Sequence, residues 1–175
     1  MRKNLLLIQL LNNTSIYYHN MPKQKLIFYG IKFFPSRGGT SRVAENLIRN
    51  LKTHYEISIY CYKHPKAKKY IDGVKAIEFP VLPFGSAGVF IYYFITALHI
   101  FFTKKRTTII HAHKTDCAFF VPLLKLKFRN IIATSHEAPY KRDKWSALGR
   151  LYFHLMEWFF IHSGAKLTSI SNPLA

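Results

Sequence analysis

The sequence predicts a doubly wound α/β fold: a parallel, Rossmann-like sheet in a single domain. Short apolar runs alternate with helical stretches from residue 26 onward. Most of the runs are nearly continuous in aliphatic and aromatic residues, as strands covered on both faces must be. The first run ends in a Gly-Gly turn that leads directly into a helix. Alternation of this kind implies right-handed crossovers between parallel strands.

The elements follow in order. Leu26 to Phe34 reads as a buried strand, broken by Pro35-Ser36-Arg37-Gly38-Gly39. Thr40 or Ser41 can then cap a helix whose apolar face is Val43, Ala44, Leu47, Ile48 and Leu51. Glu56 to Tyr62 is a second strand, His64 to Tyr70 a basic loop, and Val74 to Phe79 a third strand stopped by Pro80. Ser86 to Thr103 is a long apolar helix, and Thr107 to Ala112 a fourth strand. Asp116 to Phe128 reads as helical, with Pro122 kinking it or sitting near its start. Asn130 to Ser135 is a fifth strand, Lys144 to Ser163 a helix and Lys166 to Ser171 a sixth strand. Residues 1–24 stand apart. Arg2 and Lys3 precede the apolar run Leu5 to Leu11, but no small-residue cleavage pattern follows. They read as a leader or as a start placed too early, with Met21 as the initiator. The domain is then 25–175.

Composition narrows the function. The 175 residues carry 26 Lys and Arg against 8 Asp and Glu, a formal charge of +18, yet 49% are hydrophobic and 16% aromatic. A disordered basic tail would lack that apolar content, so this is a folded basic domain whose partners are anionic. Cys61 and Cys117 provide neither a disulfide framework nor a zinc site and read as small buried hydrophobes in a reducing compartment. Phe84 to Thr103 holds no Asp, Glu, Lys or Arg. Its continuous apolar part, Val89 to Phe102, falls short of the roughly 20 residues a spanning helix needs, and reads as buried or interfacial. The cations Lys104, Lys105, Arg106, Lys125, Lys127 and Arg129 fall at helix C-termini, where the dipole favours them.

In such a sheet, ligands bind at the carboxyl ends of the strands. There Gly38 and Gly39 would let backbone approach a ligand, and the helix N-terminus at Thr40 offers N–H groups to a phosphate or carboxylate. The chain has neither Gly-x-Gly-x-x-Gly nor a Walker motif, and Tyr60-Cys61-Tyr62-Lys63 ends the second strand where a nicotinamide-binding domain would place an acidic residue. His136, ending Thr134-Ser135-His136, would place an imidazole in the cleft. His111 and His113 are read as pointing to opposite faces, one packing and the other turned to the cleft. No third clustered ligand makes them a metal pair. Tyr140-Lys141-Arg142-Asp143-Lys144-Trp145 mixes cations with aromatics, as a phosphate and sugar contact would.

Taken together, these segments resemble a family. The Gly-Gly turn within Ser36 to Glu45, the strand ending His111-Ala112-His113, the strand Ala133-Thr134-Ser135-His136 and the closing Ser169-Ile170-Ser171-Asn172-Pro173-Leu174 look like the N-terminal half of a family 4 glycosyltransferase of the GT-B fold. Tyr140 to Trp145 resembles a stretch of its rhamnosyltransferase-like subgroup. The resemblance covers about residues 24–175. It implies that this half binds the acceptor and that a C-terminal half, not seen here, binds a nucleotide-sugar. It implies retaining hexosyl transfer with no cofactor or metal, in the building of cell-surface polysaccharide. His136 would hydrogen-bond the transferred sugar as the catalytic residue. Gly38, Gly39 and Thr40 would meet donor phosphate. Arg37, Arg42, His113, Lys141, Arg142, Lys144 and Trp145 would hold a saccharide or polyprenyl-phosphate-linked acceptor. The expected setting is cytoplasmic, peripheral on the anionic inner face of the plasma membrane. The expected state is truncated, excised or split, and inactive alone. The competing reading is a basic membrane-surface or anion-binding α/β module without catalysis. No recognition helix or aromatic sheet motif points to nucleic acid.

Overall fold

The computed structural model describes residues 22–63, 73–136 and 145–170. Six parallel strands form one sheet: β1 (Gln24–Tyr29), β2 (Tyr55–Tyr62), β3 (Val74–Phe79), β4 (Ile109–His113), β5 (Ile131–Ser135) and β6 (Lys166–Ser169). Their order is β3-β2-β1-β4-β5-β6. The chain winds outward from β1 to β3, then crosses back and winds the other way from β4 to β6. The doubly wound expectation is correct, and β1 and β4 flank the point where the winding reverses. That is where such sheets open a crevice beyond the strand ends.

Register follows from the apolar runs. Phe28 lies beside Ile59 on one side and His111 on the other. Alternate residues of β1 serve different layers, because successive side chains point to opposite faces. Leu26 and Phe28 join Ile57, Ile59 and Cys61 under α1 (Thr40–Leu51), which contributes Ala44 and Ile48. Ile27 and Tyr29 join Tyr60, Ile110, Ala112 and Ala133 on the opposite face. That face receives Tyr92, Tyr93, Ala97 and Ile100 of α2 (Gly85–Thr103), Val121 and Leu124 of α3 (Val121–Lys125) and Phe160 of α4 (Ala147–Ile161). Each large apolar side chain so buried is worth roughly 1.5–3 kcal/mol before entropy is counted.

The aromatics of this core keep their polar ends bonded. Tyr92 Oη donates to the Ile31 carbonyl at 2.9 Å and Tyr29 Oη to the Tyr93 carbonyl at 2.8 Å. These two bonds tie the N-terminal half of α2 to the end of β1. Among the described residues, α2 is the one helix with the length and hydropathy to cross a bilayer, but one face of it is packed on the sheet. Lys127 Nζ donates to the Phe101 carbonyl near the α2 C-terminus, in keeping with the helix-end reading of that cation. Cys61 and Cys117 are free and buried, as expected.

Four expectations need correction. The first strand stops at Tyr29, not Phe34, because Gly30 turns at φ 86. Ile31 and Phe34 still enter the core, so their apolar character came from burial outside the sheet. The helix after the turn is capped by Gly39, with no side-chain bond from Thr40 or Ser41. The stretch 116–128 is a 3₁₀ turn, Cys117–Phe120, followed by the short α3 with Pro122 in its first turn, where a missing N–H costs nothing. His111 and His113 share one face of β4, since residues two apart in a strand must do so.

Gly30 marks the tightest approach in the fold. A Cβ there would collide with Cys117 Sγ and lie 2.6 Å from the His113 carbonyl oxygen. Neither backbone nor a buried thiol can yield cheaply. Gly30→Ala should therefore destabilise the domain by about 3 kcal/mol or more, combining positive-φ strain with overpacking. Gly73→Ala, at φ 81 with open space around it, should cost only about 1 kcal/mol. Urea unfolding of the two variants measures the difference, and equal losses would contradict the close-approach explanation.

Candidate functional site

The carboxyl ends of β1, β4 and β5 converge on two adjoining cavities. The smaller, about 410 Å³, is lined by Gly38, Gly39, Thr40, Lys32, Lys114 and His136 among others. The larger, about 1060 Å³, shares Lys32, Thr40, Lys114 and His136 with it and continues between α2 and α4.

Each polar group is placed by a local cause. The loop before α1 turns at Gly38 (φ 120) and Gly39 (φ 52), conformations that side chains with a Cβ rarely adopt. It is held to the helix by Glu45, whose Oε2 accepts from the Ser36 N–H at 2.8 Å, while Oε1 receives Arg49 at 2.6 Å. The Ser36 bond, then the Arg49 contact, hold the Glu45 carboxyl below its usual range. Lys114 is, among the described residues, the non-glycine at positive φ (111), and its N–H donates to the Thr134 carbonyl at 3.1 Å. Such strain gathers where side chains must be aimed. Lys32 leaves the Gly30 turn toward the same space. Burial, then the Lys114 charge, lowers the affinity of its amine for a proton. Asp116 lies near both lysines; burial raises its pKa while Lys114 and Lys32 oppose the rise.

Three histidines stand on the α1 face of β4 and at the end of β5. His111 Nε2 pairs with Thr134 Oγ1 at 2.7 Å, and Thr134 Oγ1 with Thr168 Oγ1 at 2.6 Å. His113 Nδ1 lies 3.0 Å from His136 Nε2. The His111 and His113 rings are 4.0 Å apart, and each also contacts Phe28. Burial chiefly, with neighbouring positive charge, depresses all three: His111 and His136 to about 4 and His113 well below its ordinary value. All three are thus neutral near pH 7.

Neutral imidazoles share one proton across the His113–His136 contact. His113 Nε2 and His136 Nδ1 are buried without a hydrogen-bond partner among the described residues. Either arrangement leaves one buried N–H without a partner among these residues: His113 Nε2–H if His136 donates, His136 Nδ1–H if His113 donates. In both, His136 is a neutral imidazole held from behind by His113, and is unsuited to act as a general acid at neutral pH.

The residues expected from the sequence divide accordingly. Gly38, Gly39, Thr40 and His136 meet around one cavity, and Trp145 lines the larger one, packed on Phe153 at 4.9 Å. His113 is 0% exposed, so its reach to a ligand runs through His136. Arg37 stacks on Phe33 at 4.8 Å and Arg42 is exposed on α1; neither lines these cavities. Lys141, Arg142 and Lys144 lie outside the described residues. Lys32 escaped sequence reasoning, although a lone cation after a glycine inside an apolar run was a visible signal. Among the described residues, no cluster of three His, Cys, Asp or Glu is arranged to hold a metal.

A glycine turn, two lysines and a neutral histidine thus meet at the switch point of a doubly wound sheet, the place where such sheets open a ligand crevice. The chain belongs to Glycosyltransferase Family 4, whose family model matches residues 37–175. No curated protein was found to match it. Transferase activity on sugar donor and acceptor substrates follows in general terms from that membership.

The buried histidines set a pH dependence. The folded values for His111 and His136 are about 4, below the ordinary 6.5, so between these limits the unfolded chain binds protons that the native chain refuses. Stability should be constant above pH 7 and fall as pH drops from 6.5 toward 4. Thermal unfolding across that range tests this, and His111→Asn should flatten the slope. A midpoint that rises on acidification would contradict the neutral-histidine assignment.

Proposed function

We propose that the protein serves a glycosyltransferase that moves a hexose from a nucleotide-sugar to a lipid-linked saccharide during cell-surface polysaccharide synthesis, with retention and without a metal. The observation behind this reading is the meeting of Gly38, Gly39, Thr40, Lys32, Lys114 and His136 around one cavity in a family 4 domain. The free N–H groups at the start of α1 and the two ammonium groups suit phosphate oxygens, and the neutral His136 imidazole at the cavity wall suits a sugar hydroxyl. The rhamnosyltransferase-like subgroup rests on Tyr140 to Trp145 alone. This sheet edge forms one wall of a cleft, and donor binding belongs to a domain facing it. Location at the inner face of an anionic membrane fits the +18 charge and the apolar surface of α2 and α4.

The purified 175-residue chain should bind saccharide phosphates in a salt-sensitive manner and transfer no sugar unaided. His136→Ala should weaken that binding by roughly tenfold, the value of one lost hydrogen bond. Titration calorimetry and a radiolabelled nucleotide-sugar assay provide the readouts. Turnover by the chain alone would overturn the division of labour. Failure to bind saccharide phosphates, together with salt-sensitive flotation on anionic vesicles, would favour the non-catalytic membrane-surface module instead.

A further inference from the structure

The larger cavity has a second half that sugar chemistry does not use. Beyond Lys32, Lys114 and His136 it runs between the N-terminal halves of α2 and α4, past Ala87, Phe90, Ile91, Leu151, Tyr152 and Leu155. It opens at Leu148, Leu151 and Leu155, which are 77%, 65% and 50% exposed. Water-facing leucines in a row on one helix, beside an apolar trough, are not needed for the core, which lies under the other face of α4 at Met156 and Phe160. The two cavities adjoin, and the residues they share are the polar ones: Lys32, Thr40, Lys114 and His136. The layout is linear: a polar cavity at the glycine turn, a pair of ammonium groups, then a hydrocarbon-lined trough.

We propose that this trough seats the isoprenoid chain of a polyprenyl-phosphate acceptor, with its phosphate held between Lys32 and Lys114 and its sugar in the polar cavity beside His136. The inference rests on the lipid-linked acceptor reading above and gives it a place. Charge complementarity selects the occupant. Among the described residues, the junction carries two ammonium groups against the one carboxyl of Asp116, so it attracts an anion at the head of the trough. A neutral hydrocarbon or the apolar face of a protein helix would leave those lysines desolvated without a counter-charge. One trough takes one chain, which favours a prenyl phosphate over a two-chain phospholipid. The exposed leucines at the open end lie where the chain would pass to a bilayer.

The test uses the full 175-residue chain carrying Trp158→Phe, leaving Trp145 in the trough as the one tryptophan emitter. Farnesyl phosphate, farnesol, inorganic phosphate and dihexanoyl phosphatidic acid are titrated separately. Farnesyl phosphate is expected to bind at least tenfold tighter than each of the other three. Leu151→Glu, a surface change at 65% exposure, should weaken farnesyl phosphate tenfold or more and leave inorganic phosphate unaffected. Lys114→Gln should weaken both phosphates and spare farnesol. Circular dichroism confirms that each variant is folded, and Ala87→Trp, read by calorimetry, blocks the trough from the α2 side as an independent variant. Farnesyl phosphate binding no tighter than inorganic phosphate, or unchanged by Leu151→Glu and Ala87→Trp, overturns the trough while saccharide-phosphate binding keeps the glycosyltransferase reading. Equal binding of the phosphatidic acid assigns the trough to phospholipid and overturns the prenyl assignment. Loss of saccharide-phosphate binding as well removes the acceptor reading itself.

Discussion

The approach of β1 to the β4 turn at Gly30 governs the rest of the molecule. β1 is the strand from which the sheet winds in both directions, and β4 is its partner across the reversal. Because Gly30 has no Cβ, the Cys117 thiol and the His113 carbonyl can close over the end of β1. The chain leaving β1 is thereby turned so that Lys32 meets Lys114, while Ile31 and Phe34 fold back into the core. The thiol reinforces the closure by donating to the His113 and Lys114 carbonyls at 3.4 and 3.3 Å. A packing constraint at one backbone position thus brings separate strand ends into one site.

The electrostatics follow from that geometry. Histidines packed between Phe28 and the neighbouring strands lose hydration, and desolvation keeps them neutral. Positive charge at the site comes from Lys32 and Lys114, moderated by Asp116. On the proposed reading, the lysines would attract phosphate, while the neutral imidazole would orient a hydroxyl without adding charge that the anion would tie up. His113, wholly buried, contributes by pairing with His136 Nε2 and so holding its ring in place.

Much of this was legible in the residues, and the failures have physical causes. Continuous apolar runs separated by helical stretches revealed a parallel sheet, because strands covered on both faces show no alternation. The same uniformity hid where β1 ends: Ile31 and Phe34 are as apolar as the strand but are buried beyond it. The cap went to Gly39, since the tight turn needs a positive φ at the place where Thr40 or Ser41 would otherwise have served. The glycine pair and His136, which line one cavity, were visible as candidates because both follow strand ends. Lys32 and the trough were not. They depend on a turn at Gly30 and on two helices, far apart in sequence, facing each other across the sheet edge.

Histidine nitrogen NMR on the uniformly labelled chain tests most directly whether His136 is a neutral imidazole paired with His113 beside a phosphate-binding junction. At pH 7, His136 and His113 are expected to be neutral, with one proton shared across their contact, and the His136 nitrogen signals to shift when a saccharide phosphate is added. A His136 imidazolium at pH 7, or a His136 spectrum indifferent to the ligand, would contradict this.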